Sequence, residues 1–140
     1  MLDRDSLPLS AIAKVLRSTA MMTSDVNKGM VLKRISPAVF ADTSVQRAYL
    51  DAIVAMTSDV ERGAAIANLV KQRPLTSSMQ LALLQAIMPM TSDVEKANIL
   101  LLFLDRQGIS DEKIRRTFFK VSETMTSDTD YRRVMTAVMR

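Results

Sequence analysis

The chain has 140 residues, 48% of them apolar but only 4% aromatic, with a formal net charge of +4 and neither Cys nor His. That length holds one ordinary core, and a charge of that size is usual for a soluble domain. Thiolate nucleophiles, disulfides, the common zinc ligand sets and an imidazole base are all excluded, so no catalytic, cofactor or metal residue is assigned.

The organising feature is internal repetition. Met-Thr-Ser-Asp occurs four times, starting at Met22, Met56, Met90 and Met125, at intervals of 34, 34 and 35 residues. A period of this length is one helix-turn-helix unit, too small to bury its own apolar face, so successive units must stack. The expected fold is all-α: a right-handed α-solenoid of four antiparallel helical hairpins, eight helices in a single domain over 1–140, with units at about 7–40, 41–74, 75–108 and 109–140.

In chain order, a first helix over 8–21 has Pro8 at its start, and a second over 24–35 opens at Ser24, with Pro37 forbidding its continuation. The third, 42–55, has Asp42 as N-cap and an apolar stripe at Val45, Ala48, Tyr49, Ala52, Ile53 and Met56, which is the 3.6-residue period. The fourth, 58–72, opens with Ser58 and Glu61 in the spacing of a capping box and stops before Pro74. Thr76 caps the fifth, 76–88, whose stripe repeats as Met79, Ala82, Leu83, Ala86, Ile87 and Met90. Ser92 and Glu95 open the sixth, 92–106, after which Gly108 takes a left-handed cap; the extra residue of the longer interval belongs near it. Ser110 is expected to cap the seventh, 110–124, and Ser127 the eighth, 127–139. Asp25, Asp59, Asp93 and Asp128 then lie at the positive end of a helix dipole.

Two further columns complete the core. Leu16, Leu50, Leu84 and Phe119 lie beside the stripe of each unit's first helix, which therefore buries a face wider than one stripe. In each second helix the columns Val31/Ala65/Ile99/Val134, Leu32/Ile66/Leu100/Met135 and Ile35/Leu69/Phe103/Val138 form a second layer. Met22, Met56, Met90 and Met125 fill the gap between hairpins as core residues rather than forming an adaptable groove.

The frame Arg47-Ala48-Tyr49-Leu50-Asp51-Ala52, followed by Ser58-Asp59-Val60-Glu61-Arg62 and again by Ser92-Asp93-Val94-Glu95-Lys96, resembles the helical C-terminal repeats of bacterial membrane metallopeptidase sensors of the BlaR type. Val60 and Val94 stand where those repeats usually carry an aromatic residue. The resemblance covers nearly the whole chain and implies an accessory, non-enzymatic region of a larger bacterial protein, with an extracytoplasmic envelope location. Peptidase activity does not carry over, because the zinc-binding His-Glu-x-x-His helix needs histidines that this chain lacks. Tetratricopeptide arrays share the unit length but not the Trp-x-x-Leu-Gly-x-x-Tyr pattern.

Lys28, Arg62 and Lys96 occupy one position in three successive units, so stacking would align them as a basic stripe, extended by Arg132 and Arg133, able to grip an acidic peptide or phosphates. Each of the first three also follows an Asp by three residues, the spacing of an ordinary surface ion pair, and that plainer reading is preferred. Arg115-Arg116 beside Phe118-Phe119 mixes bases with aromatics, but both rings fall in core columns and base stacking needs exposed rings. Ser24, Ser58, Ser92 and Ser127 are structural caps, since a nucleophilic Ser needs a positioned base.

The expected function is a non-catalytic module for protein–protein interaction or scaffolding, with a protein or peptide partner received by the concave helices starting at Ser24, Ser58, Ser92 and Ser127. The alternatives are nucleic-acid binding through the basic stripe, and a structural spacer that self-associates through its terminal faces. No segment approaches the ~18 consecutive apolar residues of a membrane span, and Leu2-Asp3-Arg4-Asp5 lacks the pattern of a signal peptide, so a soluble chain without membrane insertion is expected.

Overall fold

The computed structural model describes residues 8–35, 42–71 and 75–140. Among them are eight α-helices and no strand: α1 Leu9–Ala20, α2 Asp25–Lys33, α3 Thr43–Val54, α4 Asp59–Val70, α5 Ser77–Ile87, α6 Asp93–Arg106, α7 Glu112–Ser122 and α8 Asp128–Val138. Every expected helix is present, displaced at its ends by two residues or fewer. Pro37 and Pro74, the expected stops, lie outside the described residues. No helix of the described residues is long and apolar enough to cross a membrane.

The chain falls into two compact units, residues 1–73 and 74–140. In the first, α1 packs on α3 and α2 on α4, with α1 also touching α2 and α3 touching α4; in the second, α5 packs on α7 and α6 on α8, and α6 lies against α7. Within each unit the first helices of its two repeats therefore form one layer and the second helices another, as stacked hairpins require.

The expected stripes form the core of each unit. Leu16, Val45, Tyr49, Ile53, Ile66 and Leu69 are sealed from solvent in the first, and Leu83, Leu84, Leu100, Phe103, Phe118 and Val134 in the second. Each such large side chain contributes about 1.5–3 kcal/mol of burial. Met56, Met90 and Met125 are buried at the junctions, while Met22, in the first repeat, is only half-buried. Tyr49 is fully buried yet its hydroxyl is satisfied, accepting from Asn68 Nδ2 at 3.0 Å. Phe119, expected in the core, is half-exposed and meets the buried Phe118 edge-on at 6.1 Å.

Starts of the helices follow a strict register. The N-caps of α1, α3, α5 and α7 are Pro8, Asp42, Thr76 and Asp111, and each lies 14 positions before the Met of its own repeat. Asp111, not Ser110, caps α7, because its carboxylate accepts from Lys113 N at 2.9 Å and Ile114 N at 3.1 Å. The extra residue of the third interval is thus absorbed before residue 111, where α6 runs to 14 residues and Gly108 turns the chain at φ +79°. Only glycine adopts that angle without strain.

Candidate functional site

The Met-Thr-Ser-Asp junction does more than start a helix. Each Ser caps as expected: Ser24 Oγ accepts from Asn27 N, Ser58 Oγ from Glu61 N, Ser92 Oγ from Glu95 N and Ser127 Oγ from Asp130 N, at 3.2 to 3.4 Å. The reciprocal half of a capping box, in which the Glu61 side chain would return to the Ser58 N–H, is replaced by a contact from the preceding repeat. Asp25 Oδ2 takes the Ser58 N–H at 2.6 Å, the Thr57 N–H at 2.8 Å and the Thr57 hydroxyl at 3.2 Å. In the second unit Asp93 Oδ2 does the same with Ser127 N at 2.7 Å, Thr126 N at 2.9 Å and Thr126 Oγ1 at 3.1 Å. One carboxylate oxygen therefore fixes the start of the next repeat's second helix through three donors.

These donors favour the ionised carboxylate. The Ser58 backbone N–H, then the Thr57 N–H and hydroxyl and the Lys28 charge, hold Asp25 below the ordinary carboxylate value; Asp93 is lowered in the same way, first by the Ser127 N–H.

The basic column completes the junction from within, and here the structure corrects the picture of exposed surface charges. Lys28 is 4% exposed and Lys96 3%. Lys28 Nζ donates to the Ala55 carbonyl at 2.8 Å and faces Asp25 Oδ1 at 3.5 Å, and Lys96 Nζ donates to Thr124 Oγ1 at 2.8 Å. Ala55 and Thr124 each immediately precede the Met of the following repeat. Arg62 is half-buried; it donates to the Val54 carbonyl at 2.6 Å, and burial lowers its pKa against the opposing charges of Asp59 and Asp25. An ammonium sealed between repeats cannot reach a ligand in solvent, so Lys28 and Lys96 do not form an exposed stripe.

Arg132 and Arg133 stand apart. The position of Lys28, Arg62 and Lys96 falls in the fourth repeat on Tyr131, which is 38% exposed. Both arginines are exposed on α8; Arg133 donates to Asp130 Oδ1 at 3.0 Å and to Asn98 Oδ1 at 2.9 Å. A cleft of about 460 Å³ between α6 and α8 is lined by both, together with Leu101, Thr136 and Arg140. The equivalent face of the first unit, between α2 and α4, carries a cleft of about 290 Å³ lined by Gly29, Lys33, Glu61, Ala64, Asn68 and Lys71, among others.

The outward surface of the second-layer helices is apolar in places. Val26, Val60 and Val94, each four positions after its Met, are 56%, 65% and 54% exposed. Among the described residues no group of His, Cys, Asp and Glu is placed to hold a metal ion. No known protein family, curated protein or solved structure matches this chain.

Sequence reasoning assigned the four Ser caps and the Asp25–Lys28 ion pair, and missed the contacts that Asp25, Asp93, Lys28 and Lys96 make across repeats. The signal was present. A cap requires only the Ser, whereas Thr and Asp recur with it in all four copies, and the three-donor contact explains the identity of Asp25 with Thr57 and of Asp93 with Thr126.

Proposed function

We propose that the chain is a non-catalytic helical-repeat module, stacked as a solenoid, that serves as a scaffold for protein–protein interaction. The observation that carries this reading is the use of Asp25, Lys28, Asp93 and Lys96 between repeats. The side chains with the most chemistry at the repeated motif are consumed in fixing one repeat to the next. What remains outward on α2 and α4, and separately on α6, is a set of exposed valines with Met30 and Ala64 beside polar side chains, suited to shape-dependent contact with another protein. The resemblance to the repeats of BlaR-type sensor proteins agrees with this reading and adds the proposal of a bacterial parent protein.

The test is affinity capture with the full chain and with a Val60→Glu/Val94→Glu variant. Both positions are exposed, so the variant keeps its helical circular dichroism. Candidate partners are then purified and titrated calorimetrically. A purified partner that binds the parent and loses affinity for the variant supports the module; partners that bind neither, or both equally, count against this surface.

A further inference from the structure

The fourth repeat breaks the pattern that lets one repeat receive the next, and it breaks it at two adjacent positions. The column Gly29, Gly63, Ala97 ends in Arg132. At Gly29 a Cβ would lie 2.8 Å from Glu61 Oε2 of the following repeat, so the end of that side chain would have to move aside. A long side chain in that column stands where the next repeat's carboxylate would lie. The neighbouring column, Lys28, Arg62, Lys96, ends in Tyr131, which cannot supply a cation to the junction. Asp128 is retained and exposed.

The groove between α6 and α8, the counterpart of the α2–α4 cleft in the first unit, is cationic. Among the described residues Arg132 and Arg140 make no salt bridge, while Arg133 pairs with Asp130 and donates to Asn98. The three guanidinium groups share the 460 Å³ cleft with the hydroxyls of Thr129 and Thr136 and the apolar side chains of Leu101 and Ala137. Guanidinium is weakly hydrated and matches carboxylate geometry with paired donors. Apolar groups between the cations suit a ligand that alternates carboxylates with aliphatic side chains. Nucleic acid fits less well, because among the described residues no aromatic ring lines the cleft for base stacking. A second copy docking head to tail is opposed by charge. The clefts between α1 and α2 include Lys14 and Arg34, and in a second copy docked there these would meet the arginines of α8.

We infer that the α6–α8 cleft is a binding site for an acidic, leucine-bearing peptide segment of a protein partner, gripped by Arg132, Arg133 and Arg140 around Leu101. This rests on the interaction-module reading and gives its partner a chemistry.

The experiment is fluorescence anisotropy with a labelled twelve-residue peptide of repeated Glu-Glu-Leu, using the full chain at low salt. The comparison probes are the Gln-Gln-Leu peptide, a twelve-nucleotide single-stranded DNA and inorganic phosphate as competitor. Arg132→Glu/Thr136→Glu alters only exposed positions of the cleft, and Arg116→Glu on α7 is the charge control. The expected result is binding of the Glu-Glu-Leu peptide alone, weakened about tenfold or more by the cleft variant and less than about twofold by the control, with affinity falling as salt rises. Lack of peptide binding, equal loss in both variants, DNA binding of equal strength, or full competition by millimolar phosphate overturns the assignment. Sedimentation of the free chain covers the remaining occupant: a concentration-dependent dimer abolished by Arg132→Glu assigns the cleft to a second copy and overturns it too. A captured partner that depends on Val60 and Val94 but not on Arg132 and Thr136 would remove the cleft while leaving the module reading intact.

Discussion

Reversing the charge of Lys28 separates a surface stripe from a buried junction. At an exposed ion pair, Lys28→Glu would change stability by no more than ~1 kcal/mol. In the structure the ammonium is 4% exposed, 2.8 Å from the Ala55 carbonyl and 3.5 Å from Asp25. A carboxylate there leaves that carbonyl without its donor and sets two like charges together in a poorly hydrated space. Uncompensated buried charges cost about 3–5 kcal/mol, a large share of the ~5–15 kcal/mol that holds a typical domain folded. Lys28→Met retains the aliphatic stem and loses the charged hydrogen bond, typically worth ~1.5–3 kcal/mol, while also relieving the ammonium of its desolvation, so its expected cost is about 1–2 kcal/mol. Urea denaturation followed by circular dichroism gives both values. Lys28→Glu within ~0.5 kcal/mol of the parent would refute the buried-junction argument, since that is the range of an ordinary surface substitution.

Ser58→Ala removes the cap but keeps the N–H that reaches Asp25, so it is expected to cost about 1 kcal/mol in a urea titration, and Asp25→Ala, which releases three donors at once, more than that. Asp25 and Asp93 have folded-state pKa values below the ordinary 3.8, so their contribution is fully present above that pH and is lost as pH falls through the lowered values; thermal melts between pH 5 and 2 should fall less steeply for Asp25→Asn/Asp93→Asn than for the parent. Gly108→Ala, at φ +79°, is expected to lower stability by about 1 kcal/mol, and Gly108→Asn by less, both measurable by calorimetry.

The helices were legible because local signals agree: a polar cap opens every helix but α1, and the apolar residues of the first helices follow a 3.6-residue period. Ser110 was misread because its own hydroxyl suits a cap, whereas the register set by the Met of each repeat points to position 111, where Asp111 supplies the carboxylate. The basic column was legible as a column but not as buried. An i, i+3 pair such as Asp25 and Lys28 looks the same in sequence whether it faces solvent or the next repeat, and only stacking decides which. Its small neighbours offered part of the missing information, because Gly29, Gly63 and Ala97 sit beside Lys28, Arg62 and Lys96, and at Gly29 the Glu61 side chain of the next repeat comes close. Where the small residue disappears, at Arg132, the sequence also signals a surface of a different kind.

Why charges should be buried at a junction that leucines could fill follows from the geometry of stacked helices. Apolar ridges repeat every turn, so two helices packed by Leu and Ala alone have near-equivalent registers one turn apart. A slip of α4 along α2 by one turn would take the Thr57 and Ser58 donors from Asp25 and the Ala55 carbonyl from Lys28, leaving a sealed ammonium unpaired. The junction therefore selects one register more strongly than it adds stability. Asp25→Leu/Lys28→Met removes both charges together, and Thr57, being exposed, regains water as a partner. This variant is expected to cost less in urea than the sum of Asp25→Ala and Lys28→Met, since removing both charges together leaves neither one unpaired. Its amide cross-peaks for residues 57 to 62 are nevertheless expected to broaden or double. A single sharp set matching the parent would show that the core columns alone fix the register and that the repeated Asp and Lys act only on stability.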